Sequence, residues 1–154
     1  MESPDPLANK IFKIAAVEEE QHLVFGLASL SIHSDGEVLT DLQGDQIEPA
    51  ELENAVYDFV EKGREGDVNH SGPVVSSLIE SFVVTPQKLA ALLKACGHTG
   101  NVPEFNGCAA WMGWRVNDEN VWKRVKNGEL KAFSIEGKAE RVPVGSAEAP
   151  DKEQ

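Results

Sequence analysis

One serine near the end of the chain lies between two apolar side chains in a strand-like stretch, 131–138 (KAFSIEGK). Its hydroxyl, that of Ser134, becomes a nucleophile only when a base accepts its proton and nearby donors stabilise the oxyanion that follows. A serine is also an ordinary residue of a strand. The sequence therefore has to supply a base before any chemistry can be assigned to this hydroxyl.

Four histidines are candidates for that base. His22 and His33 flank the first predicted strand, His98 lies in a glycine-rich loop, and His70 lies in the loop 66–72 (GDVNHSG) immediately before a strand. A loop histidine at the start of a strand can project into a cleft, or it can be an exposed imidazole that caps a backbone group. His70 is the best placed of the four, and both interpretations of it stay open at this point.

The overall composition limits the classes of function. The chain has 154 residues, enough for one domain with a core, and 14 Lys and Arg against 26 Asp and Glu give a net charge of −12. Such a charge repels nucleic-acid phosphates and anionic membranes, so neither is predicted as a partner. The sequence has no apolar run of about 20 residues, and its start (MESPDPLANK) does not resemble a signal peptide, so we expect a cytoplasmic protein.

Cysteines and histidines give no pattern for a metal or a disulfide. Cys96 and Cys108 lack CxxC spacing, and we predict two reduced, packed thiols. A Cys96–His98 nucleophile pair remains a weak alternative. The scattered histidines give no spacing for a metal-dependent hydrolase, and no cofactor is predicted.

Hydrophobic periodicity and turn residues predict an α+β domain with a small, mostly antiparallel, partly closed sheet. The predicted helices begin at Pro49, at Pro86 and after Asp118, with Leu89, Leu92, Leu93 and Cys96 on the apolar face of the second. The predicted strands are 22–32, a β-branched run within 74–84, 108–116, and the stretch that contains Ser134.

Two strand patterns predict where particular side chains lie. Strict alternation in LIESFVV would place Leu78, Glu80, Phe82 and Val84 on one face, which makes Glu80 a carboxylate among apolar neighbours that needs a partner. A solvated carboxylate is the alternative. Trp111 and Trp114 are three residues apart, so we expect them on opposite faces of their strand.

Six motifs follow one another in a fixed order along the chain: DLQGD (41–45), DVNH (67–70), ESFVV (80–84), WMGWRV (111–116), VWKRVKNG (121–128) and FSIEG (133–137). This ordered set resembles the phage serine proteases of the XkdF-like family, which are relatives of prohead (capsid maturation) proteases. The resemblance runs from the first strand to Val142. It implies an N-terminal extension (1–20), a protease domain (21–142) and a flexible acidic tail (143–154).

The same resemblance implies a fold like that of the herpesvirus capsid-maturation proteases, a small β-barrel surrounded by helices. Matched position by position, Ser134 is the nucleophile and His70 the general base. The acid that orients the histidine is open. Glu80 is preferred, because the family tends to carry an acid followed by serine there, and Asp67 and Glu140 are the alternatives.

The activity implied is that of a serine endopeptidase that processes scaffold and major capsid proteins inside the immature phage prohead, in the host cytoplasm. Self-cleavage after Glu148 and homo-oligomer formation are further expectations. The competing hypothesis is a catalytically inactive capsid-assembly or scaffold-associated protein that keeps the protease fold.

Overall fold

The computed structural model describes residues 13–41, 44–68 and 71–131. In that part of the chain, five strands and three helices alternate, which confirms the α+β class. The elements are β1 (Ile14–Glu18), β2 (Leu23–Ile32), α1 (Pro49–Lys62), β3 (Glu65–Val68), β4 (Ser71–Val84), α2 (Pro86–Ala95), β5 (Cys108–Val116) and α3 (Glu119–Lys126).

The five strands form one sheet in the order β1-β2-β5-β4-β3, with every neighbouring pair antiparallel. The predicted antiparallel pairing is therefore confirmed. The sheet is open across the described residues, with β1 and β3 as its two edge strands. β1 lies within the range that the sequence assigned to an N-terminal extension, and β3 lies in a predicted loop.

Helix α1 covers one face of the sheet and forms the main core. It begins with proline in the first turn, where the missing N–H has no helical partner to lose, and it turns Leu52 and Val56 inward. These side chains pack against Val83, Ala110 and Met112 of the central strands. Cys108 belongs to the same cluster, and burial raises the pKa of its thiol.

Helix α3 makes a second, smaller core at the end of β2 and β5. The side chain of Asp118 accepts a hydrogen bond from the Val121 backbone N–H at 2.9 Å, as expected of an N-cap. Trp122 is buried against Val24 and Val116. No helix in the described ranges is long and apolar enough to cross a membrane.

Helix α2 forms where the sequence predicts it but does not bury its leucines. Thr85 caps it by accepting from the Lys88 N–H, yet none of its residues is buried and Leu92 is 47% exposed. Lys88 fastens it to α1 through Glu53 (2.7 Å) and Tyr57 Oη (2.6 Å). The prediction that Cys96 is a packed thiol is wrong, because this end of α2 leaves Cys96 exposed.

A bulge in β4 makes the predicted arrangement of its side chains wrong. Leu78 pairs with Trp114 and Glu80 with Gly113, so Ile79 is an extra residue without a counterpart on β5. The alternation is reset there: Leu78 packs with Val83 on the α1 side. Glu80 and Phe82 therefore lie on the opposite face from Leu78, and Glu80 is exposed.

Candidate functional site

The residues on either side of the predicted base form the irregular end of the β3–β4 pair. His70 itself is outside the described residues, but the residues on either side of that gap, Val68 and Ser71, pair with each other across the two strands. Gly66 pairs with Ser76, so the two strands advance by five residues on β4 but by only two on β3 between these pairs. This local irregularity sets where the chain enters and leaves the His70 segment.

Close packing at Gly66 holds β3 in this position. A Cβ added to Gly66 would lie 2.2 Å from Ser76 Oγ and 3.1 Å from the Trp114 ring. A contact of 2.2 Å does not occur for a real Cβ atom, so a larger residue would have to displace the Ser76 hydroxyl and crowd the Trp114 ring, or move β3. Glycine thus allows the strand that carries Asp67 to lie directly against Trp114.

The chain that precedes the predicted nucleophile contacts the opposite edge of the sheet. Ser134, Gly137 and Glu140 lie outside the described residues, and the last described residue is Lys131. The Lys131 carbonyl oxygen accepts a hydrogen bond from the Ile14 N–H at 2.7 Å. The chain that leads to Ser134 therefore starts beside β1, whereas the chain that leads to His70 starts in β3.

Glu80, the preferred acid of the predicted catalytic triad, has a tryptophan as its hydrogen-bond partner. Trp111 Nε1 donates a hydrogen bond of 3.1 Å to Glu80 Oε1 on the face of the sheet away from Leu78. A Cβ added at Gly113, directly opposite on β5, would lie 2.6 Å from Glu80 Cγ and 2.7 Å from the Phe25 ring. A missing side chain on β5 thus makes room for the glutamate, and an indole N–H binds its carboxylate.

The position of Glu80 along β4 is far from the His70 segment. The distance along β4 from Ser71 to Glu80 can be counted on the two strands that pair with it. The first part of this stretch lies beside two residues of β3, and the rest lies beside three residues of β5. At about 3.3 Å per residue this is roughly 17 Å. Trp111 pairs with Phe82, still further from Ser71, so the hydrogen bond directs the carboxylate away from that end. Glu80 as the triad acid stays a prediction, and this geometry weighs against it.

Asp67 lies much closer to the His70 segment. It is an exposed residue of β3, and its neighbour Val68 pairs with Ser71 across the gap. A carboxylate at this position is one residue from the strand pair that borders His70. Sequence spacing alone gave it no preference, because β3 was not predicted as a strand.

Two of the other three histidines, His22 and His98, are engaged elsewhere. His22 adopts a left-handed backbone conformation (φ 58°) and stacks on Trp122 with ring centroids 4.6 Å apart. His98 Nε2 is 3.2 Å from the Asn101 carbonyl oxygen in an exposed loop. Neither lies in the β3–β4 region. No group of three His, Cys, Asp or Glu residues with metal-binding geometry occurs in the ranges that the structure describes.

The two tryptophans of β5 lie on opposite faces, as predicted. Trp114 packs with the α1 core and tilts against Phe59 at 5.8 Å between ring centroids. Trp111 lies on the other face, where it binds Glu80. The sequence pattern gave the opposite orientations, but it did not reveal that Trp111 is the partner of Glu80.

Two curated proteins of Bacillus subtilis (strain 168) are similar to this chain. The "Uncharacterized protein YqbD" is 28% identical over 158 residues, which cover 96% of this chain and 42% of that protein. The "Phage-like element PBSX protein XkdF" is 28% identical over 141 residues, which cover 84% of this chain and 42% of that protein. The chain thus spans about two fifths of the length of these relatives.

Comparison with solved structures gave no match. The family model described as "Putative phage serine protease XkdF" matches residues 10–143, which include both positions singled out for nucleophile and base. The match covers most of the chain, and the chain belongs to this family of phage serine proteases.

Proposed function

We propose that this chain is a serine endopeptidase that processes scaffold and major capsid proteins during phage prohead maturation, with Ser134 as nucleophile and His70 as general base. The observation that carries the proposal is the family match over residues 10–143, which contains both residues. The description of that family as a phage serine protease agrees with the chemistry that a serine and a loop histidine can perform.

In the proposed mechanism, His70 takes the proton of the Ser134 hydroxyl as the oxygen attacks a peptide carbonyl. The imidazolium then gives that proton to the leaving amine, which departs and leaves an acyl-enzyme. His70 next accepts a proton from water, the resulting hydroxide attacks the ester, and Ser134 recovers its proton as the acid product leaves. Neither step uses a cofactor.

We further propose that the sheet closes into a barrel like that of the herpesvirus capsid-maturation proteases. The support lies in the two edges: the segment of Ser134 begins beside β1, and the segment of His70 begins in β3. These are the edge strands of the described sheet. Joining β1 to β3 would close the sheet and bring nucleophile and base together, while 79–84 of β4, which extends past β3, would keep a free edge.

Asp67 is our proposal for the acid that orients His70. An orienting carboxylate must be within hydrogen-bond reach of the imidazole. Asp67 is next to the Val68–Ser71 pair, whereas Glu80 is roughly 17 Å along the sheet at about 3.3 Å per residue and already binds Trp111. Glu140 follows Ser134 and is the remaining alternative.

The proposed setting is the immature prohead inside the host cytoplasm. A maturation protease there acts on proteins packed at high concentration around it, and it can also trim itself. The sequence VGSAEA (144–149) combines small residues with an acid, and we propose cleavage after Glu148. A requirement for self-association would keep such an enzyme inactive until assembly, and a specific activity that does not depend on protein concentration would contradict that part.

Co-expression with the scaffold and capsid proteins of the same phage tests the proposal. Intact masses are compared for the wild type, Ser134→Ala and His70→Ala, with Ser34→Ala and His98→Ala as matched exposed controls. Processing by the wild type and both controls, but by neither of the other variants, is the expected result. Equal processing in all five, or assembled heads without any processing, would favour an inactive assembly protein.

A further inference from the structure

The outer edge of β4 has backbone groups without partners among the described strands. β3 pairs with β4 only from Ser71 to Ser77, and the Leu78 N–H then donates to the Arg64 carbonyl oxygen at 3.0 Å. Beyond it, 79–84 pairs with β5 on one side and with none of the described strands on the other. Exposed strand edges of this kind are templates for pairing with another chain.

A groove runs between this edge and helix α1. Its volume is about 600 Å³. Apolar side chains line much of it, notably Tyr57 and Val60 of the helix and Leu78 of the strand, and Ile79 at the bulge is 42% exposed. An added strand would place alternate side chains over this apolar floor, while its backbone pairs with β4.

The groove also contains one cation that is available to a ligand. Lys88 is occupied by Glu53 and Tyr57. Arg64 also lines the groove but forms no ion pair within 13–41, 44–68 and 71–131. Glu61 and Glu80 line the groove too, so the complementarity is local: among the described residues the Arg64 guanidinium has no ion-pair partner and can bind a carboxylate.

We propose that this edge and groove bind an extended segment of a separate polypeptide by strand addition, with apolar residues at alternate positions and a carboxylate that pairs with Arg64. Six residues of free edge match the length of an ordinary strand. Two copies that each carry a charge of −12 repel one another, which favours a separate, less acidic chain over self-pairing. The site needs neither Ser134 nor His70, so it goes beyond the proposed catalysis.

Backbone amide hydrogen exchange, followed by NMR on Ser134→Ala so that no cleavage occurs, tests this site. The probe is an acetylated, amidated heptapeptide that begins with glutamate, has valine at positions two, four and six, and has threonine or serine between them. One matched probe carries glutamine in place of glutamate. Another carries proline at position four, which removes a backbone donor and opposes strand pairing.

The glutamate probe is expected to slow exchange of outward amides within 79–84, and the proline probe is not. Arg64→Asn keeps a residue that tolerates the left-handed conformation of this position (φ 66°) and removes the charge. It should weaken binding of the glutamate probe by about 3- to 10-fold without affecting the glutamine probe. Arg115→Asn, at an exposed arginine of β5, is the matched control and should change neither.

Three results would overturn the proposal. They are unchanged exchange across 79–84 at saturating probe, equal protection by the proline probe, and amides already protected in a protein that sediments as a dimer. The last would mean that a second copy covers the edge. Loss of processing in Ser134→Ala with this binding intact separates the docking site from the catalytic proposal.

Discussion

Asp67 and Glu80 are two exposed carboxylates on neighbouring strands, and they differ in their hydrogen-bond partners and in their distance from the His70 segment. Glu80 is bound by Trp111 and faces a glycine on β5. Asp67 lies on a short edge strand, beside the residue pair that borders His70. The comparison teaches that separation along the chain is a poor measure of proximity here, because the irregular β3–β4 pairing and the bulge at Ile79 change both distance and direction.

The largest difference between the two acids should appear in catalysis. Asp67→Asn keeps the size of the side chain and removes its charge, and loss of an orienting carboxylate costs about 10²- to 10⁴-fold in rate. Glu80→Gln should stay within about threefold of the wild type, because a residue outside the site affects transition-state binding little. Initial rates of scaffold and capsid-protein cleavage measure both.

Circular dichroism melting is the control for that pair of variants, since neither change should unfold the protein. If Glu80→Gln slows cleavage as much as Asp67→Asn is expected to, the preference for Asp67 is refuted and the sheet must bring Glu80 to His70. If both variants keep wild-type rates, either Glu140 orients His70 or the enzyme works as a serine–histidine dyad without an acid.

Two glycine substitutions, one beside each acid, test the comparison of Asp67 with Glu80 by overpacking the sheet. Gly66→Ala and Gly113→Ala each place a Cβ within 2.6 Å of a neighbouring atom, at Ser76 and at Glu80 respectively. Overpacking of this kind destabilises a protein by about 1–3 kcal/mol. Urea titration should show both losses, but only Gly66→Ala should also lower the cleavage rate per folded molecule, because it displaces the strand that carries Asp67.

Equal cleavage per folded molecule in the two glycine variants would show that β3 does not position the site. If Gly66→Ala fails to fold, it is combined with Ser76→Ala, which removes the nearest clashing oxygen. The combination is expected to regain part of the lost stability, since the Trp114 contact remains.

Much of the central fold could be predicted from the sequence. α1 and β5 have the predicted bounds, and Asp118 caps α3 as expected, because their periodicity and cap residues agree with tertiary packing. β1 and β3 were missed because short edge strands bury little and carry no clear alternation. For β3, Gly66 and Asp67 even disfavour a strand in isolation.

For the candidate site, the assignment of Ser134 and His70 stays a prediction. Residue types and resemblance selected Ser134 and His70, and the family match covers both. The position of Glu80 could not be predicted, since one bulge residue reverses the face of every side chain after it. The apolar face of α2 was predicted from its period, but periodicity does not say whether a partner surface exists.

A smaller effect should come from the hydrogen bond that fixes Glu80. Removing the donor in Trp111→Phe, or the acceptor in Glu80→Ala, should each lower the free energy of unfolding by about 0.5–1.5 kcal/mol. The double variant should cost less than the sum of the two, because the second change has no bond left to break. Strict additivity in urea titrations would show that the 3.1 Å contact does not contribute to stability.

The smallest effect concerns the link between α1 and α2, away from both acids. The hydrogen bond from Lys88 lowers the pKa of Glu53 below its usual 4.5. Its contribution to stability is therefore present above pH 4.5 and is lost as the pH falls through the lower, folded-state value. Glu53→Gln should remove that part of the acid-side loss while cleavage at neutral pH stays unchanged. An identical pH dependence of unfolding would contradict the link.

Covalent labelling tests the central claim most directly. The wild type, His70→Ala and Ser134→Ala are treated with a fluorophosphonate, which reacts with serines that a base has activated, and the site is identified by peptide mass spectrometry. We predict one adduct on Ser134 in the wild type and none in either variant. Equal labelling of the wild type and His70→Ala, or an adduct on another serine, would contradict the assignment of Ser134 and His70 as nucleophile and base.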